Sequence, residues 1–359
     1  MNGSVHILLG ANSGSGFYSL YEQLLNGRLD DLLIIKGGPG CGKSSFMRAV
    51  ARELTAAGHD PIYVHCSGDP DSLDGVLFPQ LRLGLVDGTS PHVLEPAYAV
   101  AAERYLDLSP FYDVDAVKAL REEIIEHTKA YRAAYAEAYH ILRAADALAS
   151  ERRAVAGEAA DYDALERRLD SFLRRELRNP GSRRGRVDYA FLGGITHQGE
   201  LLFSETVGAL CPRVYAIQDS FGLAGAALER ICGQAADAGI DVLACPNPDR
   251  PRELQHVLLP AAGAAFVTST DRAPYPGSVC RRLRADTAVL RRLSPARRAE
   301  LRLSGRLENA LRAEAVEALR RAKSGHDSLE KTYNPCVNFD GVYARAETEA
   351  RFLLARCRR

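Results

Sequence analysis

The length, composition and charge of the chain fit a globular protein of two to three domains. It has 359 residues, of which 46% are apolar, and its 46 basic residues balance its 46 acidic residues. A net charge of zero gives no global attraction to nucleic acid or to acidic membranes. No apolar run reaches the roughly 18 residues that a membrane span requires. We therefore expect no transmembrane segment and no nucleic-acid partner.

The cysteines and the N-terminal residues predict a cytoplasmic protein. The eight cysteines form no C-x-x-C pair, and most are expected to be buried structural thiols. The first residues lack the basic stretch followed by a long apolar run that marks a signal peptide. Together these features predict reduced thiols and a cytoplasmic location.

The chain opens with alternating strand and helix signals. Residues 6–10 (HILLG) predict a strand, and the glycine-containing turn and apolar run that follow predict a hairpin. Residues 31–36 (DLLIIK) predict a short buried strand, and residues 45–57 predict an amphipathic helix that ends at Gly58. The order strand, loop, helix is the context that a phosphate-binding loop requires.

The most informative segment lies between this strand and this helix. It fits the phosphate-loop pattern G-x-x-x-x-G-K-[ST] at every fixed position, and with the next serine it comprises Gly37, Gly38, Pro39, Gly40, Cys41, Gly42, Lys43, Ser44 and Ser45. Glycines let the backbone curl so that successive N–H groups point at a phosphate, and the helix N-terminus adds a positive dipole end. We expect these residues to bind a nucleotide, with Lys43 on the β- and γ-phosphates and Ser44 ligating Mg²⁺. The chain has no guanine-reading Asn/Thr-Lys-x-Asp motif, which favours ATP.

A magnesium–nucleotide site also needs a carboxylate at the end of a neighbouring strand. Asp87 is the main candidate, because it ends the apolar run 83–86 and is followed by the break at Gly88. It would act in catalysis and help Ser44 to organise Mg²⁺. The alternative is that Asp87 only opens a turn, which Asp-Gly pairs do readily.

Asp69 is a second catalytic candidate. It follows the predicted strand 63–66, and the carboxyl ends of parallel strands converge on a ligand, so Asp69 could serve as a base or lie in the metal shell. Asp71 is instead interpreted as the N-cap of a helix over residues 72–78. His92 closely follows Asp87 and is a candidate contact for the γ-phosphate or a substrate.

Helical regions follow each α/β segment. Residues 113–149 are rich in helix formers and 151–178 continue the pattern, until 179–182 (NPGS) marks a linker. Residues 294–331 are again helical, and 340–358 close the chain. These regions read as extensions of the α/β cores.

Two polar sets in these regions stay open to two interpretations. His326, Glu330 and Tyr333 share one face of a helix and form either a metal or substrate site or a polar packing seam. The arginines in 183–186 are either a solvated charge run or a catalytic finger reaching a nucleotide.

Residues 189–270 are predicted to be a degenerate copy of residues 5–90. Strand 32–36 is echoed by 214–218, and loop 37–44 falls on 219–226. The later correspondences are 63–66 with 242–245, 76–79 with 257–260, and 83–89 with 264–270.

In this register the second copy lacks the residues expected to bind phosphate and Mg²⁺. Lys43 becomes Gly225, Ser44 becomes Ala226, and Asp87 becomes Thr268. We therefore predict an α/β fold with duplicated P-loop NTPase cores, mostly parallel sheets and helices on both faces, the second core being degenerate. The predicted domains are a first core at 1–95, a helical extension and linker at 96–182, the degenerate core at 183–275 and a C-terminal helical region at 276–359.

The chain also resembles a little-characterised family of tandem P-loop ATPase-like proteins from Firmicutes-type bacteria. The residues that carry the resemblance are GGPGCGKSS (37–45), HCSGDPDSLDGV (65–76), LVDGTSPHV (85–93), AFLGGITHQGEL (190–201) and AKSGHDSLEKTY (322–333). The resemblance implies ATP binding and hydrolysis and supplies no substrate. The chain departs from the family in having lost a second glycine-lysine loop, which puts cooperation between two nucleotide sites in doubt.

The sequence thus predicts a Mg-ATP-binding protein that hydrolyses ATP slowly at its first core, with the second core regulatory or structural. One alternative is a small-molecule kinase that uses Asp69 as base and the helical insert as lid. Another is a nucleotide-regulated interaction module without significant turnover. The expected partners are the nucleotide and an unidentified protein or small molecule.

Overall fold

A computed structural model describes residues 4–177 and 183–357, which form two compact units. One unit contains residues 4–10, 19–137 and 317–357, and the other contains 11–18, 138–177 and 183–316. Each unit is thus assembled from segments that are distant along the chain. The predicted linker 179–182 lies outside the described residues.

The first part of the chain alternates strands and helices. Its strands are β1 (Val5–Leu8), β2 (Gly10–Ser13), β3 (Gly16–Ser19), β4 (Asp31–Lys36), β5 (Ile62–His65), β6 (Leu73–Phe78), β7 (Leu83–Asp87) and β8 (Glu103–Asp107). Its helices are α1 (Lys43–Ala56), α2 (Val114–Ala119), α3 (Arg121–Gly157) and α4 (Tyr162–Glu176).

The second part repeats the pattern. Its strands are β9 (Val187–Tyr189), β10 (Gly193–Thr196), β11 (Gly199–Leu202), β12 (Arg213–Gln218), β13 (Val242–Pro246), β14 (Leu254–Leu259), β15 (Ala264–Ser269) and β16 (Arg281–Arg284). Its helices are α5 (Ser204–Leu210), α6 (Gly225–Asp237), α7 (Ala285–Arg292), α8 (Pro295–Tyr333) and α9 (Phe339–Cys357).

Two six-stranded mixed sheets share one topology. The first has the order β1-β5-β6-β7-β4-β8, and the second, read from β9, has the order β9-β13-β14-β15-β12-β16. In each sheet one strand, β6 or β14, runs antiparallel to its two neighbours, while the remaining pairs are parallel. β2–β3 and the antiparallel pair β10–β11 form separate two-stranded sheets. The predicted hairpin is displaced along the chain, because Val5–Leu8 pairs with β5 in the six-stranded sheet. The chain is therefore α/β, with two similar cores, as predicted.

The ladders test the proposed correspondence strand by strand. Leu32 pairs with Gly84 and Val214 pairs with Ala265, which is the predicted register for these strands. For β5 and β13 the prediction was wrong by two residues, because Tyr63 pairs with Val76 whereas Ala244, not Val242, pairs with the equivalent Val257. Side chains of a strand alternate with a period of two, so a shift of two residues keeps the same face inward and leaves the apolar pattern unchanged.

The predicted helix over residues 72–78 is also wrong. Leu73–Phe78 forms β6, which lies between β5 and β7, so Asp71 is not a helix N-cap. The segment is too short for its apolar pattern to separate strand from helix, and pairing with two neighbouring strands decides its structure.

The first sheet is packed mainly by the helix that follows its glycine-rich loop. Phe46, Val50 and Leu54 of α1 are fully buried against Leu33 and other inward residues of the same sheet face, together with residues of α9. In the second core, α4 and α6 cover one face and α5 covers the other. Burial of such side chains contributes about 1.5–3 kcal/mol each, so the apolar face of α1 fixes the helix, and the loop before it, at the edge of the sheet.

The predicted helical regions are helical in the structure. Residues 113–149 fall on α2 and α3, with Asp113 accepting a hydrogen bond from the backbone N–H of Ala116 as an N-cap. Residues 151–176 continue through the end of α3 into α4, and α8 and α9 cover the C-terminal predictions. Among the helices described, none is both long and apolar enough to cross a membrane.

Candidate functional site

The glycine-rich loop connects the end of β4 to the start of α1. Gly40 and Gly42 adopt φ values of +69° and +85°, and Gly42 is the residue immediately before the helix. Residues with a Cβ rarely adopt this left-handed region, so the two glycines permit the turn. The loop therefore presents the N-terminus of a 14-residue helix at the carboxyl edge of the sheet.

Lys43 is held inside the curve of this loop. Its Nζ donates hydrogen bonds to the carbonyl oxygens of Gly37 at 3.1 Å and Gly38 at 3.0 Å. It also lies 3.5 Å from Oδ2 of Asp87, and both side chains are largely buried, with 13% and 11% exposed. Because β4 and β7 are parallel neighbours in which Ile35 pairs with Asp87, the sheet itself brings the lysine and the carboxylate together.

This contact keeps the lysine charged. Burial opposes the charge of the Lys43 ammonium, but the nearby acidic groups, Asp87 foremost, together raise the pKa of Lys43 above its ordinary value. The structure thus provides a buried, localised positive charge at the edge of the first sheet.

Asp87 has two roles in the geometry. Its Oδ1 accepts hydrogen bonds from the backbone N–H of Thr89 at 2.8 Å and from the Thr89 hydroxyl at 2.6 Å. Its Oδ2 faces Lys43. The turn-forming and site-forming interpretations of Asp87 are therefore compatible, since each carboxylate oxygen serves one of them.

Ser44 and Asp87 together offer a donor set suited to Mg²⁺. The Ser44 Oγ accepts a hydrogen bond from the backbone N–H of Leu73 at 2.9 Å, which orients the hydroxyl and leaves its second lone pair available. Mg²⁺ prefers hard oxygen ligands and is commonly held by one or two carboxylates with water and phosphate oxygens. A hydroxyl and a carboxylate fit this requirement. Ser45 is exposed at the start of α1.

Two residues missed by the sequence analysis hold the outer side of the loop. The Tyr112 hydroxyl donates to the carbonyl oxygen of Pro39 at 3.0 Å. Asn334, just after α8, donates its side-chain amide to the carbonyl oxygens of Gly40 and Glu330, both at 3.0 Å. No local pattern in the sequence relates Asn334 to a loop almost 300 positions earlier.

Asp69 has a partner other than the lysine of the loop. Its carboxylate lies 3.4 Å from Nζ of Lys323 on α8. Of the two carboxylates, the structure places Asp87 beside Lys43. The ion pair of Asp69 with Lys323 instead connects the segment after β5 to α8.

A buried polar cluster lies in the same core. Asp74 on β6 accepts a hydrogen bond from the Tyr21 hydroxyl at 3.0 Å and pairs with Nε2 of His92 at 3.2 Å. Burial acts against both charges, but the contact with Asp74 raises the pKa of His92, and His92 lowers the pKa of Asp74. His92 is among the residues predicted from the sequence and Asp74 is not, because its only signal is one acid within an apolar run.

The polar residues of α8 are compatible with either earlier interpretation. One nitrogen or oxygen of each of His326, Asp327 and Glu330 lies within 4.8 Å of the others, which is close enough for a shared metal ion. Asp327 pairs with Lys323, however, and the His326 ring packs edge-on against Tyr131 at a centroid distance of 5.6 Å. These contacts favour the packing seam.

Two of the arginines of residues 183–186 pair within the second core. Arg184 lies 3.3 Å from Asp237, and Arg186 lies 2.6 Å from Asp188. Their side chains are at least half exposed, so the contacts fit the solvated charge run.

The second core has the predicted replacements at equivalent places. Gly225 begins α6 as Lys43 begins α1, and Thr268 pairs with Ile217 as Asp87 pairs with Ile35. A cavity of about 90 Å³ lies beside the loop before α6. Its lining includes Asp219, Thr268 and the four arginines Arg152, Arg250, Arg272 and Arg312.

Comparison with known proteins adds no assignment, because no protein family, curated protein or solved structure matches this chain.

Proposed function

We propose that the chain binds Mg-ATP at Gly37–Ser44 and hydrolyses it slowly. The observation that carries this proposal is the placement of Lys43 inside a left-handed glycine loop, 3.5 Å from the strand-end carboxylate of Asp87. A backbone curl, a helix N-terminus and a buried ammonium are the groups that bind and neutralise transferring phosphates. The family resemblance of the sequence agrees with this proposal.

Each residue has a defined part in the proposal. The N–H groups of the loop would bind the β-phosphate, and Lys43 would stabilise the charge that develops at the γ-phosphate. Ser44 and Asp87 would hold Mg²⁺, which would supply positive charge beside the phosphates. The Lys43 ammonium, whose three protons include those donated to the carbonyl oxygens of Gly37 and Gly38, would turn a donor toward the phosphates on binding.

Phosphate release from Mg-ATP tests the proposal. Replacing Lys43 with alanine should lower turnover about 100-fold, which is the usual effect of losing a group that stabilises transition-state charge. Lys43→Arg keeps the charge but not the geometry of the ammonium, and should also be impaired. The matched control is Lys118→Ala, which removes an exposed lysine of α2.

The interaction module remains the second candidate, favoured by the contacts of Tyr112 and Asn334 with the loop carbonyls. Nucleotide binding without lysine-dependent phosphate release would support that candidate. The kinase has less support, because its proposed base Asp69 pairs with Lys323. A product phosphorylated by the wild type and not by Lys43→Ala would establish it.

A further inference from the structure

The second core keeps part of the glycine loop of the first core although it has lost the lysine. Residues 219–224 connect β12 to the 13-residue helix α6, as residues 37–42 connect β4 to α1. Gly222 has φ +70° and the equivalent Gly40 has φ +69°. One of the two left-handed positions is therefore shared, whereas Ala224, at the place of Gly42, has φ −82°.

The donors of the second loop are bound by the chain's own carboxylates. Oδ1 of Asp219 accepts from the backbone N–H of Leu223, and its Oδ2 accepts from that of Ala224, both at 2.8 Å. The backbone N–H of Ser220 donates to both oxygens of Asp286, at 2.9 and 3.0 Å. Backbone groups that in a phosphate loop face the ligand are thus hydrogen-bonded to acidic side chains.

Asp219 stands where the first core has Gly37. Asp219 is only 3% exposed, so its carboxylate lies inside the loop rather than in solvent. Burial raises the pKa of Asp219, while the two N–H bonds from the loop act in the opposite direction. A carboxylate at this depth needs such donors, because an unpaired buried charge is strongly destabilising.

A second observation indicates that the loop borders a ligand-sized space. The hydroxyl oxygen of Thr268, a residue only 6% exposed, lines the 90 Å³ cavity and has no hydrogen-bond partner in the described structure. Nε of Arg152, also in the lining, is likewise buried and unpartnered among the described residues. A hydroxyl and an N–H donor can both serve a ligand oxygen.

We propose that the second core contains an oxyanion site that is filled by one of its own side chains. The Asp219 carboxylate takes the place of a phosphate there. The wild-type second core then binds no nucleotide phosphate, since an entering phosphate would meet a carboxylate that already uses the loop donors. Removal of the Asp219 side chain opens the site to inorganic phosphate. This inference concerns the second core and does not depend on ATP hydrolysis at the first.

The test measures binding of inorganic phosphate to the full chain by ³¹P NMR and calorimetry. A Lys43→Ala background weakens the first site, and Asp219→Gly is added to restore the glycine of the first core. We expect at least a tenfold gain in phosphate affinity over Lys43→Ala alone. Asp237→Asn in the same background is the control, because it removes one exposed negative charge from the same core without opening the loop.

Two results would overturn the inference. One is a folded Asp219→Gly variant, verified by circular dichroism, that gains no phosphate binding. The other is a second nucleotide per wild-type chain that persists in Lys43→Ala. If Asp219→Gly does not fold, Asp219→Ser, which is also small, takes its place with the same expectation.

The outcome is separable from the function proposed for the first core. A chain that binds no ATP at all would defeat the proposed function, yet the gain of phosphate binding on removing Asp219 would still be measurable. Conversely, lysine-dependent ATP turnover with no effect of Asp219 would defeat only the inference about the second core.

Discussion

At the scale of single residues, burial and pairing decide which polar groups carry charge. Lys43 stays charged because Asp87 lies beside it, whereas His256 on β14 has no such compensation. His256 is 3% exposed, and burial lowers its pKa to about 3. Its Nδ1 accepts a hydrogen bond from the backbone N–H of Thr268, so the neutral ring is part of the second core.

Because the pKa of His256 is lowered in the folded state, we expect the protein to lose stability in acid. In the unfolded chain His256 is protonated below about pH 6.5, whereas in the folded chain its pKa is about 3. The folded state therefore becomes less stable relative to the unfolded state as the pH falls from 6.5 toward 3. At pH 5 the contribution is about 2 kcal/mol relative to pH 8. In urea unfolding followed from pH 8 to 5, His256→Gln should lose less stability than the wild type by about that amount. Parallel curves for the two proteins would contradict the prediction.

At the scale of elements, the glycine-rich loop is shaped both by its own dihedral angles and by what packs against it. A Cβ added at Gly40 would lie 2.6 Å from the end of the Asn334 side chain and 3.1 Å from the carbonyl oxygen of Glu330. Gly58, after α1, has φ +93° but nothing within 4 Å of an added Cβ. The two positions separate the cost of the dihedral angle from the cost of the contact.

We expect Gly58→Ala to cost about 1 kcal/mol, the usual penalty of a left-handed conformation for a residue with a Cβ. Gly40→Ala should cost more, because Asn334 and the end of α8 must also move, and it should weaken nucleotide binding, whereas Gly58→Ala should not. Urea unfolding and nucleotide titration of both variants measure the two effects. Equal losses of stability with unchanged binding would show that packing by Asn334 does not shape the loop.

At the scale of the whole molecule, two similar sheets are assembled into units that each draw on distant parts of the chain. The first-core unit includes residues 317–357, and this segment supplies both Asn334 at the loop and the α9 residues that pack with α1. The unit containing the glycine-rich loop therefore includes residues 317–357 as well as the early part of the chain.

Hydrogen exchange with Mg-ATP provides the test at this scale. Protection should appear in residues 37–56, at the end of β7 and around Asn334, because these segments contact the proposed ligand or the loop that holds it. Residues 219–237 should show no ligand-dependent protection, since the donors of their loop are already bound to Asp219 and Asp286. Equal protection of both loops would contradict a single nucleotide site, and Lys43→Ala provides the reference without tight binding.

The sequence by itself determined the α/β class, the duplication and the glycine-rich loop, because these depend on local signals. The apolar run of the strand comes directly before the glycines of the loop, and Lys43 and Ser44 come directly after them. This spacing is the one that the phosphate-loop pattern requires. The same comparison identified the losses at Gly225, Ala226 and Thr268. ATP as the ligand remains a prediction from that pattern.

Only the tertiary structure decided which distant groups meet. The Asp87 carboxylate faces Lys43 because β4 and β7 are adjacent, and Asn334 reaches the loop because α8 ends beside it. The two-residue shift of β13 and the strand over residues 73–78 were likewise undetermined, since short apolar segments do not specify their own partners. Asp219 shows the same limit, because a carboxylate that follows a strand has many possible roles until the donors around it are known.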